Sequence, residues 1–470
     1  MSPFIKNTSI YTIGSLLPSL VTFLLLPVFS KYLTPEDYGI VSAMETLTYI
    51  LAIFFTLTLE RAAYRFFFDY KDDIQRKELL GTLFISTSII SAILLIILFL
   101  SQHLVQKIFS TIPFTPYYVY AILSCFLTSF TLIPSAYLQV MERAKTFIIF
   151  KLGNFFLNTI LSLWFIVHWK EGAEGYLKAG FIAALLILPT YLLIIREFKW
   201  KFHLQWAKDA IHFAWPFIPT LLMAWILNLS DRIFIERFLS LHEVGIYSMG
   251  YKISMIFFVF TSAYATAYHP TFYKLANSEN QEIAKQKLKR YSFFSIGGYF
   301  IMGFMIAWFS NELVTFMLDK QYNKSHEIIR LIIFSHIFAG IAGMTTSLFV
   351  LQAKKSKENM YLSFLTGGTN IILNFCLIPP FGIYGAAIAT VATLMLAFII
   401  QYEYSKKCYF IPLPLREIAI WTISMAIILS IYHFWLEQWF WVAFGSKIVI
   451  CGGVLLYVFI NWNELKMKLS

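Results

Sequence analysis

The chain has 470 residues, of which 59% are hydrophobic and 13% are charged. Roughly a quarter of the residues in a soluble domain are charged, so this composition excludes a soluble enzyme and a membrane protein with a large water-facing domain. Fourteen helical spans of about 20 residues each would use about 280 residues, close to the hydrophobic content available. The net charge of +11 lies in short loops between apolar runs, which is typical of membrane topology signals and not of nucleic-acid binding.

Apolar runs of helical length follow one another along the whole chain. Backbone groups in lipid must be paired internally, and runs this continuous exclude a barrel, whose strands alternate. The first run has no small-residue cleavage site after it, so we expect it to be retained as a span and not removed as a signal peptide. We predict an all-α polytopic membrane protein with about 14 transmembrane helices, at residues 9–30, 40–59, 79–101, 117–140, 147–168, 175–195, 211–230, 244–268, 292–309, 331–352, 360–379, 383–402, 417–435 and 438–460.

The basic residues fall unevenly on the two sides of these predicted spans. With the N-terminus inside, the inside segments hold 26 of the 37 Lys and Arg residues and the outside loops hold 10, while Lys252 lies within a span. Lys and Arg concentrate in the cytoplasmic loops of membrane proteins, so both termini are predicted to be cytoplasmic.

Three short motifs recur in the second half of the chain at nearly one offset. YLTPEDYGIVS at 32–42 matches FLSLHEVGIYS at 238–248, which is 206 residues later. Two further matches pair 153–158 with 369–374 and 172–175 with 382–385. Because six spans is an even number, the halves share one orientation and form a parallel repeat. We predict six-helix lobes at 1–200 and 201–408, two additional helices at 409–470, and alternating access by rocking of the lobes.

Two ionisable residues lie well inside predicted spans, Glu45 in the second and Lys252 in the eighth. An ionisable residue at the centre of a membrane helix costs roughly 2.5–3.5 kcal/mol on insertion scales, so each needs a partner or a function. The repeat offset places the two at similar depth in opposite lobes. Either they form a structural ion pair, or Lys252 binds an anionic substrate and Glu45 serves as its partner or as an ion-coupling residue. Tyr247 and Tyr251 flank Lys252 and are candidates for the cavity lining.

Further polar residues lie near the ends of spans or on single helix faces. The charged residues could bind substrate at the edge of a cavity, or their side chains could extend to the membrane interface without contacting substrate. The asparagines are spaced i, i+4, which suits either helix–helix hydrogen bonding or a polar cavity wall. These candidates are Lys31, Arg61, Arg65, Arg237 and Asp231, with Asn154, Asn158, Asn370 and Asn374.

The chain carries no catalytic signature. Its acidic cluster, Asp69, Asp72 and Asp73, belongs to a mixed-charge loop typical of a solvated surface, and the four cysteines have no metal-ligand spacing. No loop is long enough to form a catalytic domain. We therefore expect a protein that is not an enzyme and uses no cofactor, with coupling to a proton or sodium gradient, or to the membrane potential, as the energy source.

The segments between spans resemble those of a known family. SDRIFIERFLSLHEVGIYS at 230–248 resembles the second-half signature of bacterial polysaccharide-biosynthesis membrane proteins, the Wzx-type flippases of lipid-linked oligosaccharides. Pro27 with YLTPEDYG at 32–39, and PFGIYGAA at 380–387, fit the same family. The resemblance covers the first twelve spans. The family belongs to the multidrug/oligosaccharidyl-lipid/polysaccharide exporter superfamily.

The resemblance implies a substrate of undecaprenyl pyrophosphate carrying an oligosaccharide repeat unit, moved from the cytoplasmic to the periplasmic leaflet of a bacterial inner membrane. It implies a role in O-antigen, capsule or exopolysaccharide assembly, beside a polysaccharide polymerase and a chain-length regulator, and among membrane lipids. Relatives line the cavity with Arg or Lys; Lys252 and Lys31 match such positions here. Glu45 departs from that pattern and indicates a charge-balanced or ion-coupled site.

Three alternatives remain at this point. An ion-coupled multidrug exporter of the same superfamily would place acidic residues toward its cavity. A lipid II flippase would fit the fourteen spans. A membrane enzyme such as a polymerase or glycosyltransferase would need a large outside loop, and the sequence has none.

Overall fold

The computed structural model describes residues 3–278, 280–347, 356–407 and 413–435, together with Val442 and residues 444–447. All regular secondary structure in these ranges is helical, which confirms the all-α prediction. The described α-helices are α1 (Pro3–Tyr32), α2 (Pro35–Thr56), α3 (Leu59–Phe66), α4 (Asp73–Leu100), α5 (Gln102–Val105), α6 (Val119–Val140), α7 (Ala144–Leu163), α8 (Gly172–Ile195), α9 (Leu204–Ala214), α10 (Phe217–Leu229), α11 (Asp231–Phe238), α12 (Leu241–Ser254), α13 (Ile256–Ala276), α14 (Gln281–Trp308), α15 (Ser310–Met317), α16 (Ser325–Ser347), α17 (Ser356–Ser405) and α18 (Leu415–Trp435).

Ten helical segments in the described part of the chain are long and apolar enough to cross a membrane, or eleven when α9 and α10 are taken as one bent span. The polytopic class is therefore confirmed, whereas the number fourteen stays a prediction. The first predicted span falls on α1, in which 17–32 forms a shorter apolar helix. The fourteenth, at 438–460, lies almost entirely outside the described residues.

Helix α17 contains two of the predicted spans in one element. Its apolar part runs for 46 residues, which is about 69 Å at 1.5 Å per residue and more than twice the hydrocarbon thickness of a bilayer. The helix is interrupted at Gly382, whose φ of 60° and ψ of −142° suit a residue without a Cβ atom. The predicted spans 360–379 and 383–402 lie on the two sides of this kink.

The two copies of the repeat meet each other along α2 and α12. A Cβ atom on Gly39 would collide with the carbonyl oxygen of Leu241, and a Cβ atom on Gly245 would collide with that of Pro35. Adding the offset of 206 to Gly39 and Pro35 gives Gly245 and Leu241, so the two contacts are equivalent in the repeat. The two glycines therefore let the helices approach to backbone contact, as small residues do in membrane helix pairs.

A second pair of equivalent contacts lies beyond the N-terminal ends of α2 and α12. The backbone N–H and hydroxyl of Thr111 donate to Glu236 Oε1 over 2.8 and 2.6 Å. The side-chain amide of Gln321 donates to the carbonyl of Ser30 over 3.0 Å. Ser30 and Glu236 are 206 residues apart, and Thr111 and Gln321 are 210 apart. Both contacts join the first half of the chain to the second at the same face.

The buried apolar clusters coincide only in part with the two halves of the chain. One buried cluster draws only on the first half and on α9, whose Ala210 and Ala214 pack with Leu59 and Leu80 of α3 and α4. A larger cluster joins Leu26 and other residues of α1 and α2 to many residues of the second half. The predicted boundaries at 200/201 and 408/409 stay predictions; α9 follows the first of them in sequence and still packs on first-half helices.

Candidate functional site

A cavity of about 450 Å³ lies between the halves, where α2 faces α10, α11 and α12. Its closed end is formed by the first two turns of α2 and α12, where Ser42 and Ser248 share a hydrogen bond. Farther along the same helices the side chains become more exposed, as at Tyr49 and Met255. The lining includes Tyr38, Glu45, Thr46, Trp225, Asn228, Arg232, Tyr251 and Lys252.

Glu45 and Lys252 form an ion pair across this cavity. Lys252 Nζ lies 3.5 Å from Glu45 Oε2, and the side chains are 30% and 36% exposed, respectively. Tyr176 donates its hydroxyl to Glu45 Oε1 over 2.9 Å, and Lys252 Nζ lies 5.6 Å from the centre of the Tyr38 ring. The sequence prediction that the two residues lie at similar depth on opposite halves agrees with this geometry. The pair remains accessible from the cavity.

Arg232 is a second cation in the lining, and it is buried. Its Nη1 donates to the carbonyl of Asn228 over 2.7 Å and to Asp231 Oδ1 over 2.6 Å. The guanidinium carbon lies 4.4 Å from the centre of the Tyr251 ring and 5.3 Å from that of Tyr247. Its buried Nε has no hydrogen-bond partner among the described residues.

Arg232 was not among the sequence candidates, because the seventh span was predicted to end at residue 230 and to leave the cation that follows it at the membrane interface. The signal was present in the sequence: an Asp-Arg pair inside the long apolar stretch, with Tyr247 and Tyr251 one helix later. The carboxylate of Asp231 already has partners inside the protein, since Tyr247 donates its hydroxyl to Asp231 Oδ2 and Arg232 bonds to Oδ1. Tyr247 is fully buried, and of the two tyrosines only Tyr251 lines the cavity.

Four candidate cations lie outside the lining of this cavity. Arg61 packs over the Phe217 ring at 4.6 Å, and Arg65 pairs with Asp69 on an exposed surface. Arg237 Nη1 donates to Ser110 Oγ over 3.3 Å. Lys31 is exposed at the C-terminal end of α1.

The asparagines also lie away from the cavity lining. Asn370 and Asn374 are buried, and Asn374 Nδ2 donates to Asn370 Oδ1 over 3.0 Å. Asn154 and Asn158 are half-buried on α7, where Asn158 Oδ1 accepts from Ser162 Oγ at 3.5 Å. In each half the i, i+4 spacing places the two side chains on one face of one helix, as the sequence predicts.

Comparisons with known proteins agree with this architecture. The family model described as "Polysaccharide biosynthesis protein" matches residues 4–276, and one described as "MatE" matches residues 216–376. The chain is 26% identical over 329 residues to Lsg locus putative protein 1 of Haemophilus influenzae, covering 67% of this chain and 77% of that protein. It is 22% identical to the capsular polysaccharide biosynthesis protein CapF of Staphylococcus aureus, covering 86% of this chain and all of that protein.

Two solved structures share the fold. A lipid II flippase MurJ in an inward closed conformation superimposes with a TM-score of 0.73 at 15% identity, covering 97% of this chain and 99% of that one. A multidrug resistance transporter of the MATE family in an inward-facing conformation gives a TM-score of 0.62 at 15% identity, with coverage of 85% and 94%. Since the first family model spans more than half of the chain, the protein belongs to the polysaccharide biosynthesis protein family of the multidrug/oligosaccharidyl-lipid/polysaccharide exporter superfamily, as the sequence resemblance indicates.

Proposed function

We propose that this protein is a flippase that carries undecaprenyl-pyrophosphate-linked oligosaccharide units from the cytoplasmic to the periplasmic leaflet by alternating access of the two halves. The proposal includes a bacterial inner-membrane location with cytoplasmic termini and a role in O-antigen, capsule or exopolysaccharide assembly. The observation that carries it is the ion pair of Lys252 with Glu45, which joins the halves inside a cavity and is open to a ligand.

The charges in the cavity favour an anionic headgroup once Glu45 no longer neutralises Lys252. Lys252 is balanced by Glu45, and Arg232 is balanced by Asp231. A pyrophosphate therefore gains most when Glu45 is neutralised by a proton or a sodium ion, or when the substrate displaces it from Lys252. Lys252 and Glu45 are 30% and 36% exposed, so a ligand in the cavity can reach the pair, and a substrate phosphate that displaces Glu45 gives Lys252 a new anionic partner.

Breaking this pair would also weaken the contact between the halves. Glu45 lies six residues after Gly39 on α2, and Lys252 lies seven residues after Gly245 on α12, so the ion pair is about two turns beyond these glycines. A substrate that binds Lys252 in place of Glu45 removes an electrostatic attraction between α2 and α12 at the level of the cavity. In the proposed topology the contacts on the closed side face the periplasm, so their opening would release the headgroup outward.

The membrane potential favours this direction for an anionic cargo. One elementary charge crossing the membrane is worth about 2.3 kcal/mol per 100 mV, so a pyrophosphate with about two negative charges would gain about 4.6 kcal/mol moving out of an inside-negative cell. A cationic drug leaving the cell would pay that energy and require strong ion coupling. The polysaccharide polymerase and chain-length regulator are proposed as partners that receive the product.

A reconstitution experiment tests the proposal. Purified protein in liposomes is given a fluorescent pyrophosphate-linked prenyl oligosaccharide, and the access of an external quencher is followed. We expect transfer above that of empty liposomes, its loss in Lys252→Ala, its partial recovery in Lys252→Arg, and normal transfer in Lys107→Ala, which changes an exposed lysine outside the cavity lining. Absence of transfer together with efflux of cationic dyes would favour the drug exporter, and preferential transfer of lipid II would favour the lipid II flippase.

A further inference from the structure

A second cavity, of about 400 Å³, lies within the second half of the chain, beside α13, α14 and α16. Its lining is aromatic on one side and built from small residues on the other. It begins directly after the first cavity along the chain, because Met255 lines the first and Phe257 and Phe258 line the second. The other lining residues are Thr261, Ser262, Tyr264, Tyr268, Tyr299, His336, Ala339, Gly340, Gly343 and Met344.

Four of the polar side chains that line this second cavity form hydrogen bonds within the protein. Thr261 and Ser262 donate their hydroxyls to backbone carbonyls three residues earlier, over 3.1 and 3.0 Å. The hydroxyl of Tyr264 bonds to that of Ser295. Nε2 of His336 lies 3.3 Å from the Ser254 hydroxyl. Because these four side chains are bonded internally and most of the remaining lining is aromatic or aliphatic, the cavity suits a hydrocarbon better than a sugar.

The distance between the charged and the apolar cavity matches an amphiphile. From Lys252 to Phe258 is six residues, about 9 Å at the helical rise, and from Lys252 to Tyr264 is about 18 Å. An apolar cavity of about 150 Å³ admits a benzene molecule, so on that scale about 400 Å³ holds roughly fifteen carbon atoms. An anionic group at Lys252 would place the first isoprene units of the same molecule beside Phe258.

We propose that this aromatic cavity binds the pyrophosphate-proximal isoprene units of the lipid carrier while the pyrophosphate contacts Lys252; this rests on the proposed function. The headgroup and the start of the chain are then held at successive levels along the eighth span. Recognition of the carrier becomes independent of the glycan, because neither cavity needs the sugars for its contacts.

Gly343 provides a selective test. A Cβ atom added there meets nothing within 4 Å, so Gly343→Leu extends into the open space of the cavity without a clash at its first atom. Gly368 on α17 has the same open surroundings and does not line the cavity, so Gly368→Leu is the matched control. Both variants are first checked for monodispersity and for the thermal unfolding midpoint.

The experiment measures binding of two probes, inorganic pyrophosphate and farnesyl pyrophosphate, to the full chain in nanodiscs. We expect farnesyl pyrophosphate to bind the wild-type protein at least about tenfold more tightly, because its chain leaves water. Gly343→Leu should lose most of this gain while keeping its affinity for pyrophosphate, and Gly368→Leu should keep both affinities. Lys252→Ala should weaken the binding of both probes.

The outcomes separate the two proposals. Equal binding of farnesyl pyrophosphate by Gly343→Leu and the wild type, with Lys252→Ala still defective, overturns the assignment of the cavity and leaves the flippase proposal in place. Binding of neither probe by any form of the protein overturns both. Displacement of farnesyl pyrophosphate by phosphatidylglycerol at equal concentration would assign the cavity to bilayer lipid, and displacement by a soluble oligosaccharide would assign it to the glycan; each contradicts the inference.

Discussion

Ser42 donates a hydrogen bond of 2.6 Å to Ser248, and the two serines are separated by 206 residues, the offset that relates the two halves of the chain. Each serine thus bonds to its own counterpart, so a pseudo-two-fold axis passes between α2 and α12 at this point. The glycine contacts at Gly39 and Gly245 lie one turn before it, and Glu45 and Lys252 lie one turn after it. The interface is therefore layered, with close backbone contact first and the ion pair last.

The serine pair allows the halves to be locked together. In a background in which Cys125, Cys376, Cys408 and Cys451 are replaced by Ala, we expect Ser42→Cys with Ser248→Cys to form a disulfide on oxidation, because the two side-chain oxygens already touch. If the halves must separate here for transport, oxidation stops transfer in the liposome assay and a reductant restores it. Each single cysteine variant is the control. Full transfer by the oxidised double variant would rule out separation at this interface.

Replacing Gly39 by Ala should shift the protein toward the state in which the two halves are separated. Gly39→Ala adds an atom that collides with the backbone of the opposite helix, where no side chain can rotate away. Overpacking of this kind costs about 1–3 kcal/mol, enough to change the ratio of closed to open states by roughly fivefold or more. The measurement is maleimide labelling at Ser42→Cys from the side that is closed here. Gly298→Ala, which meets nothing within 4 Å, should leave labelling unchanged.

Neutralising Glu45 tests its part in coupling. In Glu45→Gln the shape is kept while Lys252 loses its charged partner. We expect pyrophosphate to bind more tightly, and we expect transfer to change its response to an imposed proton or sodium gradient. Glu45→Asp, which keeps the charge, should retain the gradient response. A response identical to the wild type in Glu45→Gln would remove this residue from coupling.

The buried pair of Asp231 and Arg232 predicts a non-additive effect on stability. Arg232→Met leaves the Asp231 carboxylate buried without its cation, which typically costs 3–5 kcal/mol. The double variant with Asp231→Asn removes both charges and should recover a large part of this loss. Thermal unfolding midpoints of the two single variants and the double variant provide the measurement. Additive losses would show that the two charges do not stabilise each other.

Much of the architecture could be predicted because lipid imposes strong rules on sequence. Apolar runs long enough to span the membrane must be helices there, and the all-α polytopic class follows. The pairing of Glu45 with Lys252 could be anticipated because ionisable residues inside spans need partners and because the repeat offset gives their relative depth. The same arithmetic could not show that α9 packs back onto α3 and α4, since that depends on the bend before α10.

The sequence by itself determined the membrane class, the internal repeat and the depth of each charge along its helix. Only the tertiary structure decided that Arg232 also lines the cavity, because the depth of a residue leaves the rotation of its helix about the helix axis open. Arg232 and Arg237 are five residues apart on one short helix, yet the first is buried in the cavity wall and the second reaches Ser110 on an exposed surface. Five residues correspond to about 500° of rotation at 3.6 residues per turn, so the two side chains leave α11 in different directions, and helix packing alone selects the one that faces the cavity.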